Sequence, residues 1–217
     1  MTSYKTLYKV MKTADDSYVC TDKKNGNAFL MADAHFVVRI PYDEYIEYFA
    51  SKAFPNEDTG GLYWKHFIKG KYCSDLTSQD GHDGAFRFFE GSQELKGVAR
   101  FNGICAYNPL NHDSLLHFLV TETHCTIAVR HEFYEILTEL GIDRSPIRCA
   151  KKKANMSPLF YSSYDHRHEM ALLPVVIMDS YSLTRNLADT LDGINNAITG
   201  RDKEMKRCLE AGVPYVE

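Results

Sequence analysis

The chain has no C-x-x-C pair, no G-x-S-x-G, and no glycine-rich loop ending in lysine. No apolar run approaches the roughly 20 residues that a membrane-spanning helix requires. Each absence removes a function class. The six cysteines, Cys20, Cys73, Cys105, Cys125, Cys149 and Cys208, are scattered. They lack the spacing of a zinc knuckle or a disulfide framework and read as reduced, mostly buried thiols. Without a nucleophile elbow, serine hydrolysis has no sequence support. Cys125 follows His124 directly, but neighbours on a strand face opposite sides of the sheet, so the two make no dyad. "NGICAYN" and "EAGVP" have neither the glycine spacing nor the lysine of a phosphate-binding loop.

An excess of positive charge is also lacking. Lys and Arg total 25 against 29 Asp and Glu, a formal net charge of -4, so no global field draws nucleic acid in, although a local basic face is still compatible. The opening "MTSYKTLYKV" does not have the basic-then-apolar order of a secretory signal, and the expected location is the cytoplasm.

What the chain does contain is material for a core. Its 217 residues are 44% hydrophobic and 12% aromatic, enough to bury one full core or two small ones. No low-complexity segment or linker interrupts it. One compact domain with appendages is the expectation.

An internal repeat organises the middle of the sequence. "FLMADAH" (29 to 35) matches "FLVTETH" (118 to 124), with Phe, Leu and His identical and Asp33 answering to Glu122. Each copy runs into an extended β-branched segment and then a helix: "DEYIEYF" (43 to 49) lies against "HEFYEIL" (131 to 137). Apolar residues recur at helical spacing in both, and Pro55 and Gly141 stop the two helices. After the second helix come "PIRCA", "PLFYSSY" and "EMALLPVVI", three strand-like runs separated by polar turns. After the first, the equivalents are "GGLYWKHFIKGKY", "AFRFFEG" and "GVARFNGICAY". The expected fold class is therefore α+β, with two βαβββ repeats at 29–110 and 118–178 inside a domain spanning 29–180. Residues 1–28 are expected to form an N-terminal hairpin extension turning at Asn25-Gly26, and 181–217 a C-terminal helical extension.

Two successive strand-helix-three-strand units make up one domain of a DNA sliding clamp, the ring-forming replicase processivity factor. "FLVTETHCTIAVR" (118 to 130) is similar to the bacterial clamp stretch Leu-Val-Ala-Thr-Asp-Gly-His-Arg-Leu-Ala. "SPLFYSSYDHRHEMALLPVVI" (157 to 177) resembles the closing hairpin of a clamp domain, and "HEFYEILTELGIDRSPIRCA" has the clamp order of helix, short acidic turn and strand. The resemblance implies that Asp165 to Glu169 is a hairpin turn with side chains facing water. It implies a non-enzymatic protein, without a cofactor, that acts through protein association in DNA replication or mobile-element maintenance. The candidate partner surface is Leu172, Pro174, Val175 and Ile177 with the C-terminal helices; for Leu172 and Val175, ordinary packing is the simpler role.

The charges argue against a ring around DNA. A channel facing duplex phosphates needs positive helix faces. The outward helix positions are expected to carry Asp43, Glu44 and Glu47 in one copy and Glu132, Glu135 and Glu139 in the other. A closed ring in this family also needs six such domains, so the chain would have to assemble as a homo-oligomer. Two further readings stand beside the clamp. Asp33 with His35 and Glu122 with His124 form acid-x-His pairs that could serve a metal-dependent hydrolase if the repeats brought them together. Arg144, Arg148, Lys151, Lys152 and Lys153 form a local basic segment that could contact DNA phosphates, or simply discourage edge pairing. His166-x-His168 is a weaker metal candidate, in exposed turn chemistry.

Overall fold

The chain builds a mixed α+β structure in which one antiparallel sheet of 11 strands carries helices on one face. The computed structural model describes residues 3–33, 35–55, 64–76, 89, 95–108, 111–123, 125–142, 147–151, 157–175, 200, 203 and 207. In chain order the elements are α1 (Lys5–Thr13), β1 (Ser17–Asp22), β2 (Asn27–Ala32), β3 (Phe36–Pro41) and α2 (Tyr42–Tyr45), which continues as a π-helical turn over Ile46–Ala50. Next come β4 (Trp64–Ile68), β5 (Lys71–Leu76), β6 (Gly97–Asn108), β7 (Asn111–Thr121) and β8 (Thr126–Arg130). The last are α3 (His131–Glu139), β9 (Ile147–Cys149), β10 (Leu159–Ser162) and β11 (Glu169–Leu172).

The strand order is β5-β4-β1-β2-β3-β11-β10-β9-β6-β7-β8. Alternation along each strand sends successive side chains to opposite faces. On β2, Ala28, Leu30 and Ala32 join the large core beneath the helices, while Phe29 and Met31 point the other way and pack with Cys20, Val37 and Trp64. The helix-side core continues through Phe36, Val38 and Ile40 of β3 and Ile127 and Val129 of β8 to Met170 and Leu172 of β11. Leu7 and Met11 enter it from α1, Tyr45 and Phe49 from α2 and its continuation, and Phe133, Ile136 and Leu137 from α3.

Residues 5 to 13, expected to extend a hairpin, form α1 instead. In "KTLYKVMK" the apolar and aromatic residues fall among lysines closely enough to suggest a strand. Burial of Leu7 and Met11, four residues apart on one helical face, selects the helix. The Asn25-Gly26 turn is present: Gly26 adopts φ +69°, open to it without a Cβ, and joins β1 to β2 in a regular antiparallel pair.

The segments after each of the two later helices are unlike. β9, β10 and β11 are neighbours, but β5 lies at one end of the sheet and β6 sits between β9 and β7, so the expected unit 29–110 is not one contiguous piece of sheet. Two other correspondences exist. The meander β1-β2-β3 leads through α2 to β4, which pairs with β1, and β6-β7-β8 leads through α3 to β9, which pairs with β6. Separately, α1 is followed by the meander β1-β2-β3 and α3 by β9-β10-β11, and these two meanders meet at β3 and β11. Arg39 and Glu169 are register partners there and form an ion pair of 2.7 Å.

Beyond β11 the chain bridges two distant strands. Leu173 donates its backbone N–H to His35 at 2.8 Å, and Val175 donates to Ala128 of β8 at 2.9 Å.

Candidate functional site

α1 lies beside α3 in the helix layer. The Glu139 carboxylate, in the last turn of α3, accepts the backbone N–H of Thr6 at 2.6 Å and of Leu7 at 3.2 Å, supplying the cap that α1 does not get from its own Tyr4. At the other end, Val10 and Thr13 of α1 and Ala14 just after it share a cleft of about 170 Å³ with Arg130 at the end of β8 and Glu132 and Phe133 at the start of α3. The two helices therefore run antiparallel.

Tyr4 fixes the entry to α1. Its ring packs on Tyr48 and Phe49, with centroids at 5.1 and 5.5 Å. Its hydroxyl donates to Glu44, and burial together with that bond holds the phenol well above its ordinary pKa, so it stays a proton donor. The same carboxylate meets His168 Nε2 and the Arg167 guanidinium, each at 3.1 Å.

With those contacts in place, the outward face of α1 is basic. Lys5, Lys9 and Lys12 are exposed and fall at i, i+4 and i+7, a narrow stripe opposite buried Leu7 and Met11. Lys52, also exposed, lies over the Tyr8 and Tyr48 rings at 5.6 and 5.8 Å. Two of the six carboxylates expected to face outward, Glu44 and Glu139, are instead partly buried and spent on holding α1. Asp43, Glu47, Glu132 and Glu135 do stay exposed.

The turn after β10 is only partly solvated. Tyr164 is fully exposed, and Asp165 accepts from Ser163 Oγ and the Arg167 N–H, bonds that lower its pKa. His168 and Glu169, expected to face water, are buried, the first against Tyr4 and Glu44 and the second against Arg39. Burial raises the Glu169 pKa even though Arg39 works to lower it.

The other predicted residues are dispersed. Asp33 and His35 line the cleft at the end of α1, and the Asp33 carboxylate accepts the Asp16 N–H at 2.9 Å. Glu122 sits at the far end of β8 from that cleft, its N–H donated to Val98, and His124 lies outside the described residues. Among the described residues no group of three or more His, Cys, Asp or Glu side chains is arranged to hold a metal ion. Leu172 and Pro174 are buried, Val175 is half-buried against Leu116, Phe118 and Ala128, and Ile177 lies outside the described residues. Of the basic segment, Arg148 and Lys151 are exposed, while Arg144, Lys152 and Lys153 lie outside the described residues, as do most of the expected C-terminal helices. Among the described residues no helix is long and apolar enough to cross a membrane.

The sequence gives no hint of a second polar cluster, at His117 of β7 and His131, the first residue of α3. Their Nε2 and Nδ1 atoms are 2.8 Å apart, and the Tyr134 ring stacks on His117 at 4.1 Å. Burial, and secondarily the adjacent His131, lower the His117 pKa. His131 opens the repeat helix "HEFYEIL" but no metal or catalytic spacing links it to His117, and only the packing of α3 against β7 brings them together.

No family model, curated protein or solved structure matches the chain.

Proposed function

We propose that this protein is a non-enzymatic, sliding-clamp-like accessory factor in DNA replication or mobile-element maintenance, acting through protein association with its helix layer toward DNA. The reading is carried by the pairing of two helix-plus-meander units: α1 with β1-β2-β3 and α3 with β9-β10-β11, joined at β3 and β11 with their helices antiparallel on one face. The clamp resemblance calls for two successive strand-helix-three-strand units; the two helix-plus-meander units share one core but are separated in sequence by α2 and β4 to β8. The heptapeptide match aligns β2 and β3 with β7 and β8 instead, so this pairing of units is separate from the repeat read in the sequence.

The lysine stripe answers the objection from charge. Lys5, Lys9 and Lys12 cover roughly 10 Å of helix, at 1.5 Å per residue, and offer a duplex strand counter-charges along its phosphates. Exposed Glu132 and Glu135 on α3 confine the attraction to α1, so contact is weak and easily broken by salt. Weak contact independent of base sequence suits a protein that moves along DNA rather than one that reads it.

Fluorescence anisotropy with a labelled duplex over a salt series tests the proposal. Binding should fall steeply as salt rises and be indifferent to sequence. Salt-insensitive binding, or none at low salt, would remove DNA from the account. A basic patch at β9 and the residues just after it is the second reading, carried by exposed Arg148 and Lys151. Loss of binding in Arg148→Glu with Lys151→Glu, while the α1 lysines are intact, would favour it.

A further inference from the structure

We propose that His117 and His131 form a binding site for a divalent transition-metal cation of the zinc type, held between His117 Nε2 and His131 Nδ1. The two nitrogens already converge to 2.8 Å from separate elements, with ring planes 14° apart. The inner ring is held in place: Tyr134 stacks on His117 at 4.1 Å, and Phe101 packs edge-on against Tyr134 at 4.8 Å. A carboxylate lies near the far nitrogen of the outer ring, with His131 Nε2 3.5 Å from Glu135 Oε1. A carboxylate behind the far nitrogen of a ligating imidazole fixes its tautomer and strengthens it as a donor.

Two imidazoles sharing one tetrahedral zinc-type ion, with bonds of about 2.0–2.1 Å, stand roughly 3.3 Å apart, so the pair must open by about half an ångström. His131 can make that adjustment, because its side chain is 41% exposed. The same exposure gives the cation its entry and leaves room for water to complete the shell. In the bound state His131 keeps its proton on Nε2, toward Glu135, and His117 carries its proton on Nδ1. Both lone pairs then face the cation. The all-nitrogen donor pair selects zinc, nickel or copper over magnesium and calcium, which take oxygen.

Calorimetric titration of the whole chain with zinc chloride, repeated with cobalt for its visible absorption bands, tests the site. The expected result is saturable binding that is lost in His131→Ala, lost in His117→Gln, and weakened about tenfold in Glu135→Gln. Excess magnesium should not compete. His117 packs under the Tyr134 ring and its variant could disturb packing, so His131→Ala, at the more solvent-accessible of the two side chains and checked by circular dichroism, decides the matter. Unchanged affinity in a folded His131→Ala protein, or no saturable binding by the natural chain, overturns the proposal. Neither result depends on whether the protein binds DNA.

Discussion

The Glu139 carboxylate of α3 reaches across to the first turn of α1 and accepts the Thr6 amide at 2.6 Å. The contact joins segments 133 residues apart in sequence and sets where the lysine helix lies. Glu139→Ala should cost about 1–2 kcal/mol in denaturant unfolding, as loss of a helix cap does. Amide exchange should quicken across residues 5 to 13 first. Uniform acceleration over the whole sheet would mean that α1 is not held at this point.

Arg39 and Glu169 face each other across the joint between β3 and β11. Taking two charges out of water offsets much of their attraction, and the raised Glu169 pKa has the same origin. Glu169→Ala, which strands a mostly buried guanidinium, should cost about 2–3 kcal/mol. Arg39→Met combined with Glu169→Leu should cost less than that single change. A double variant less stable than Glu169→Ala would contradict this view of the pair.

Tyr161 is fully buried, and its hydroxyl finds no hydrogen-bond partner among the described residues. Tyr161→Phe removes an unsatisfied polar group without opening a cavity, and should raise stability by about 1 kcal/mol. A loss of stability would reveal a partner for that hydroxyl.

Burial pushes the Cys20 thiol up to about 12, while Cys73 and Cys105 are exposed. A thiol-specific reagent should therefore modify Cys73 and Cys105 in the native protein and reach Cys20 only on unfolding. The linkage has a definite sign. A folded pKa above the unfolded value near 9 means the contribution of Cys20 is intact below pH 9 and is lost as pH rises toward 12. Cys20→Ala should flatten that part of the alkaline stability profile. A profile unchanged by the substitution would assign the loss to other groups.

Sequence periodicity located most of the closing half of the fold. β9, β10 and β11 each carry short strand-like runs, and "HEFYEIL" has the apolar spacing of α3. The turn at 163 to 168 was legible as a turn, but the inward role of His168 was not, because its partner Glu44 is 124 residues away. The matching heptapeptides at 29 and 118 mark corresponding hairpins, β2 with β3 and β7 with β8. They do not reveal that β5 and β6 part company, since strand order depends on pairings that a local pattern does not encode. α1 was missed because aromatic residues among lysines fit either period until Leu7 and Met11 have α3 and the sheet to pack against.

The central claim is that the lysine face of α1 meets DNA. The most direct measurement is the salt dependence of duplex binding for the natural chain, for Lys5→Glu with Lys9→Glu and Lys12→Glu, and for Arg148→Glu with Lys151→Glu. The account predicts that the α1 variant loses binding, that single lysine replacements each lower the salt slope by about 1, and that the β9 variant binds as before. Equal binding by the natural chain and the α1 variant, with the same slope, would contradict it.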